Sequence, residues 1–156
     1  MRLKFVTLLF LLSSVYTDSS LFSLPAEVGI KSIYNDKGNI IIDIYGINNH
    51  PIAGIQLDII AQDLFTIDSA FGGRCLENNF TIYTNKKGRI LAFSMKGDLI
   101  PPSISESKEE NLLFSVYGKV NNEIVDQKII NIESILASEK GERLKSISPS
   151  FVWEGQ

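Results

Sequence analysis

Any chemistry in this chain would have to be built around one histidine, His50, and one cysteine, Cys75. A Ser-His-Asp or Cys-His nucleophile would rest on His50 alone. His50 stands in the turn Asn48-Asn49-His50-Pro51, where a solvated loop side chain is the simpler reading. Zinc requires three or four His, Cys or carboxylate ligands, and one His with one Cys is a poor start. Asp58, Asp63 and Asp68 could serve as a glycosidase's paired carboxylates, but their places on a strand and in loops suit surface charge better. Gly72-Gly73 lacks the Lys and Ser/Thr of a phosphate loop. Asn35-Asp36-Lys37-Gly38 lacks the spaced oxygen ligands of a calcium loop. The reading is therefore no catalytic residue, no metal and no cofactor. Asn79-Phe80-Thr81 is an N-glycosylation sequon, of consequence in a eukaryotic source.

Binding chemistry has more candidates. Sugar rings stack on exposed aromatics, because their C–H faces pack on a flat π surface at little entropic cost. Tyr34, Tyr45, Tyr83, Tyr117 and Trp153 are eligible; Tyr45 and Tyr117 lie opposite their strands' more apolar faces, and Trp153 sits in a tail. Packing between strands is the competing role for each of them. Gln56 and Asp58, polar positions on an otherwise apolar strand, would suit a protein interface or plain solvation.

The elements that must position these residues read as strands. Ile52 to Ile60 organises the chain: Ile55, Leu57 and Ile59 fall on one face, Gln56 and Asp58 on the other, the period of a half-buried strand. Val28 to Tyr34, Ile40 to Ile47, Leu64 to Ser69, Phe80 to Tyr83, Arg89 to Lys96 and Leu112 to Val120 read alike. Within Arg89 to Lys96, Leu91, Phe93 and Met95 share a face opposite Ser94 and Lys96. Asn121-Asn122 reads as a tight turn joining Leu112–Val120 to a hairpin partner at Glu123–Asn131. Ile132 to Ala137 continues apolar, and Arg143 to Ile147 returns after Gly141. Gly72-Gly73 reads as a flexible link, and the Pro101-Pro102 segment, from Gly97 to Asn111, as an exposed loop. No helical period persists over three turns, and short strands between Gly/Asn turns indicate an all-β sandwich.

With 156 residues, one domain with a sizeable core is expected. The net charge of −3 argues against nucleic acid and against an anionic membrane surface. Arg2 and Lys4, the apolar run Phe5 to Leu12 and the small polar residues to Ser20 have the layout of a secretory signal peptide, cut between Ser14 and Ser20. The run is too short to span a bilayer; an uncleaved anchor or a buried strand is the alternative. Loss of residues 1–20 takes Arg2, Lys4 and Asp18 and leaves −4. No later run would hold the mature chain in a membrane, which implies an extracellular or periplasmic location. A lone Cys75 forms no internal disulfide, so the core must hold the domain; Cys75 is either buried or a free thiol.

Several ordered stretches resemble one family. Ile52-Ala53-Gly54-Ile55-Gln56-Leu57-Asp58 is similar to the "V-A-G-F-Q-F-D" strand of cohesin-like domains. Phe71-Gly72-Gly73 and Phe80-Thr81-Ile82 resemble the loop and short strand that follow it. Arg89 to Met95, Gly97 and Ile100-Pro101 resemble the "vLgFSf-tG-tIP" segment, Leu112-Leu113-Phe114 the next strand, and Ile130-Asn131-Ile132 with Ala137 and Gly141 the closing hairpin. The resemblance covers most of residues 28–147. It implies a jelly-roll β-sandwich of about nine strands, of the type shared by cohesins and bacterial carbohydrate-binding modules. The domain limits follow: signal peptide 1–20, cohesin-like sandwich 21–148, short C-terminal tail 149–156. It also implies a secreted, non-catalytic module that recognises an extracellular protein through a sheet face. The alternatives are a polysaccharide held by exposed aromatics, or a structural surface component. Tyr45, Gln56, Asp58, Tyr117 and Trp153 are the expected ligand-binding residues.

Overall fold

Branched apolar residues alternating with polar ones build two sheets that close on each other. The computed structural model describes residues 24–61, 63–121 and 126–154. The expected leader, residues 1–20, lies outside the described residues, as do Asn122 of the expected turn and residues 123–125 of the expected hairpin strand. In strand β2 (Asn39–Ile47), Ile40, Ile42 and Ile44 are buried while Ile41 and Asp43 face outward. In β3 (Gly54–Ile60), Ile55, Leu57 and Ile59 are buried and Gln56 and Asp58 are not. The period of two thus sets which side of each strand meets the core.

One sheet runs β10 (Ser146–Ile147), β1 (Ala26–Asp36), β2, β7 (Leu112–Val120), β4 (Phe65–Phe71). The other runs β11 (Phe151–Trp153), β8 (Lys128–Ala137), β3, β6 (Arg89–Phe93), β5 (Thr81–Thr84), with β9 (Arg143–Leu144) also paired to β8. We call them the first and second sheets. Together they form the expected jelly-roll β-sandwich, and β3 lies inside its sheet between β8 and β6. Ile42, Ile44, Leu57, Ile90, Phe114, Ile130 and Leu136 are essentially inaccessible between the sheets. Each such side chain contributes about 1.5–3 kcal/mol, the stabilisation a chain without disulfides needs.

Three local expectations differ from what forms. β7 does not make a hairpin with the strand that follows it. Both hydrogen-bonding edges of β7 are filled by β2 and β4, so the chain crosses over and β8 pairs with β3 instead. Gly72-Gly73 is not a loose link: Gly73 begins a one-turn helix, α1 (Gly73–Glu77). Gly73 has φ +55, and a Cβ there would stand 2.5 Å from the Leu112 carbonyl oxygen, so only glycine lets α1 lie this close to β7. Finally, Phe151 to Trp153, expected in a tail, forms β11 against β8.

The helix also positions a buried cation. Arg74 is almost inaccessible, and its guanidinium donates to the Gly46 carbonyl (2.9 Å), Asn48 Oδ1 (3.0 Å), Ser103 Oγ (3.1 Å), Asn111 Oδ1 (3.1 Å) and the Pro101 carbonyl. All these acceptors are neutral, and burial lowers its pKa. The five bonds tie the Pro101-Pro102 loop and α1 to the end of β2. That loop then folds over part of the first sheet's outer side.

Candidate functional site

The outer face of the second sheet is built by register. Gly54 of β3 lies between Phe93 and Ala137, Gln56 between Leu91 and Ile135, and Asp58 between Arg89 and Glu133. On the far side of β6, Thr81 opposes Phe93 and Tyr83 opposes Leu91. All of these side chains leave the sheet on the side away from the core, because their neighbours Ile55, Leu57, Ile82, Ile90, Ala92 and Leu136 are the residues turned inward. The outcome is a row Tyr83-Leu91-Gln56-Ile135 beside a row Thr81-Phe93-Gly54-Ala137.

Four large apolar side chains stand exposed there: Phe93 (36 %), Leu91 (39 %), Ile135 (40 %) and Tyr83 (51 %). Tyr83 and Phe93 stack with ring centroids 5.7 Å apart. Gly54 has no side chain, and a Cβ built on it would meet nothing closer than Ala137 Cβ at 3.7 Å. Gly54 therefore leaves the sheet surface bare between Phe93 and Ala137, at the end of the three strands. A contiguous apolar patch on a regular strand surface marks a binding site more often than a scattered residue does.

The patch has a polar border. Arg89 grips Asp58 with two bonds, Nε to Oδ1 at 2.7 Å and Nη2 to Oδ2 at 3.1 Å, and Gln56 Nε2 donates to Asp58 Oδ2 at 3.1 Å. The Arg89 guanidinium holds the Asp58 carboxyl below the usual carboxylate range, with the Gln56 bond adding to it. Gln56 is thus tied to Asp58 through its amide nitrogen. Of the predicted binding residues, Gln56 and Asp58 come together at this site.

The other three do not join them. Tyr45 is buried on the outer side of the first sheet. Its ring covers Gly29, where a Cβ would clash at 2.5 Å, its hydroxyl donates to Glu27, and Lys108 Nζ lies 4.6 Å above its ring. Burial and the Glu27 carboxylate push the Tyr45 hydroxyl's pKa up. Trp153 is likewise buried, packed on Phe65 with centroids 5.3 Å apart. Neither can offer a ring face to a sugar, and both expectations are corrected: a folded loop covers one and strand pairing draws in the other. Tyr117 is half-buried on the first sheet's outer face and stacks on the exposed Phe71, centroids 4.7 Å apart and 8° from parallel.

Leu91 and Phe93 were read from sequence as one face of a strand, and they are, but as its wet face. Ile90-Leu91-Ala92-Phe93 is apolar on both sides, so alternation alone does not choose. The choice comes from register: Asp58 and Gln56 must share a side with Arg89 and Leu91. Tyr83 is one of the aromatics the sequence offers for stacking and Gly54 lies in the cohesin-like motif, but nothing in the sequence sets them beside Leu91 and Phe93, and Ile135 carries no signal beyond ordinary strand composition. The nucleophile candidates stay apart in environment: His50 is exposed, whereas Cys75 is fully buried with its thiol pushed up to about 12 by desolvation. Among the described residues no group of three or more His, Cys, Asp or Glu could hold a metal ion, and no helix is long and apolar enough to cross a membrane.

Comparison with known proteins bears on the fold. No family model and no curated sequence matches the chain. Solved structures do match. A non-cellulosomal cohesin from the hyperthermophilic archaeon Archaeoglobus fulgidus superposes with TM-score 0.59 at 11 % identity, over 84 % of this chain and 91 % of that one. The sixth cohesin of Acetivibrio cellulolyticus scaffoldin B, solved in complex with a Cel5 dockerin mutant, gives 0.58 at 8 % identity, over 85 % and 100 %. A cohesin from another dockerin complex gives 0.57 at 15 % identity, over 84 % and 99 %. The fold is that of a cohesin-like β-sandwich domain.

Proposed function

We propose that this cohesin-like sandwich is a secreted, non-catalytic binding module that takes a protein partner on the outer face of the second sheet. The observation that carries the reading is the exposed group Tyr83, Leu91 and Phe93, with Ile135 across Gln56 and the bare position Gly54 beside Phe93. Such a patch offers an apolar anchor point, with Gln56 set within it and Asp58 and Arg89 as its polar rim. Two of the similar structures are cohesins in dockerin complexes, which supports a protein rather than a small ligand. The layout of residues 1–20 supports export.

The direct test is affinity capture from the secreted proteins of the source cell, using wild type beside Gly54→Arg and Leu91→Glu. Gly54 lies outside the left-handed region and a Cβ there makes only ordinary contacts, so the arginine covers the bare position without straining the strand. A protein held by wild type and lost by both variants, with unchanged circular dichroism, supports the reading. Equal capture by all three sinks it.

Polysaccharide binding keeps one foothold. Phe71, more than half exposed, lies flat against Tyr117 and presents its other side to solvent. Retention on an insoluble polysaccharide that Phe71→Ala and Tyr117→Ala abolish would move the binding site to the first sheet.

A further inference from the structure

We infer that Asn79 is the acceptor of an N-linked glycan standing at the β5 border of the second sheet. The sequon Asn79-Phe80-Thr81 spans the exit from α1 into β5. Asn79 closes the helix in a left-handed conformation, φ +57, which asparagine tolerates better than most residues. Its backbone N–H is held by the Leu76 carbonyl at 3.1 Å. Its side chain is exposed and makes no hydrogen bond with any described residue.

The next two residues complete the arrangement. Phe80 is buried, and its N–H donates to the Cys75 carbonyl at 2.8 Å, so the middle of the sequon is anchored. Thr81 turns back out; its residue is exposed and its hydroxyl likewise has no described partner. Amide and hydroxyl, the two groups the transfer reaction reads, thus both face solvent across one anchored residue. A glycan there displaces no packing and breaks no hydrogen bond.

The reaction needs a lipid-pyrophosphate-linked oligosaccharide and an oligosaccharyltransferase. Asn79 Nδ2 forms a bond to the anomeric carbon of the donor's first sugar. The bond from that carbon to the phosphate oxygen breaks, the lipid pyrophosphate leaves with the electron pair, and the proton lost by the amide passes to solvent. Nothing is oxidised or reduced. Thr81 opposes Phe93 in the sheet, so Asn79, two residues earlier, stands beside the exposed patch. The acceptor role itself is independent of any partner binding there.

The test is transfer in vitro to the purified full chain by a single-subunit oligosaccharyltransferase with a lipid-linked donor. Peptide mass spectrometry should place one oligosaccharide on Asn79 in wild type and in Thr81→Ser. Occupancy should fall at least about tenfold in Thr81→Ala, which leaves the asparagine and its helix-ending conformation in place. The modified wild type should keep its β-sheet circular dichroism. No transfer to wild type, while a free sequon peptide is consumed in the same tube, overturns the assignment. So does loss of the β-sheet signal on modification.

Discussion

The centres of the sandwich's two outer faces are made of the same kinds of residue and are covered to different extents. On the first sheet, Asp43 accepts from Ser115 Oγ at 2.6 Å and Ser32 Oγ at 3.1 Å, with Lys31 at 3.9 Å, and Tyr45 is roofed by Glu27 and Lys108. Its polar groups are engaged with one another and Tyr45 is covered, although Tyr34 and Phe71 farther along the sheet are exposed. On the second sheet, Tyr83, Leu91, Phe93 and Ile135 stand in water with only a rim salt bridge beside them. The difference traces to a loop. The segment pinned by Arg74 folds over the first sheet, and nothing described folds over the second. A side chain's exposure here depends on what the chain does many residues away.

Truncating a covered residue should therefore cost stability, and truncating an uncovered one should not. Tyr45→Ala should lower unfolding free energy by about 3–5 kcal/mol in denaturant melts, whereas Leu91→Ala should change it by about 0.5 kcal/mol or less. A large loss for Leu91→Ala would invert the comparison. Next in size is binding: once a protein partner is in hand, Gly54→Arg should weaken it at least about 30-fold, the scale of a central anchor site. Isothermal titration calorimetry reads this, and Phe71→Ala on the opposite face should leave the affinity unchanged.

Finer variants sharpen the contrast. Tyr45→Phe removes only the hydroxyl that donates to Glu27, and a loss of about 1 kcal/mol in the same melts is expected. The smallest effect is pH-dependent. Asp58 has a lowered pKa when folded, so its contribution is present above the ordinary carboxylate pKa and is lost as pH falls through the lower folded value. Asp58→Asn should flatten that acid limb of the melting temperature slightly while leaving neutral-pH stability almost unchanged, because the pair is solvent-exposed. An equal loss at neutral pH would mean that the rim pair holds the sheet rather than borders it.

Much of the sandwich was legible in local pattern. Ile40, Ile42 and Ile44, and Ile55, Leu57 and Ile59, announce inward faces because side chains alternate across a strand whatever it pairs with. The motif stretches around Gly54 and Ile100-Pro101 pointed to the cohesin-like fold that the solved structures share. Less of the site was legible. Gln56 and Asp58 stood out as polar interruptions, but their apolar company did not: Ile90-Leu91-Ala92-Phe93 reads the same on both faces.

By itself, then, the order of residues determined strand periodicity, the reliance on an apolar core and the sequon at Asn79. Tertiary structure decided which strands are neighbours: β7 lies between β2 and β4 rather than against β8, since a strand has only two edges to share. It also decided which aromatics meet water. Tyr45, Trp153 and Phe93 are alike in composition terms, but the first lies under a loop, the second in the core against Phe65, and the third in solvent. Burial is a property of everything that packs around a residue, and pairing across long separations sets it.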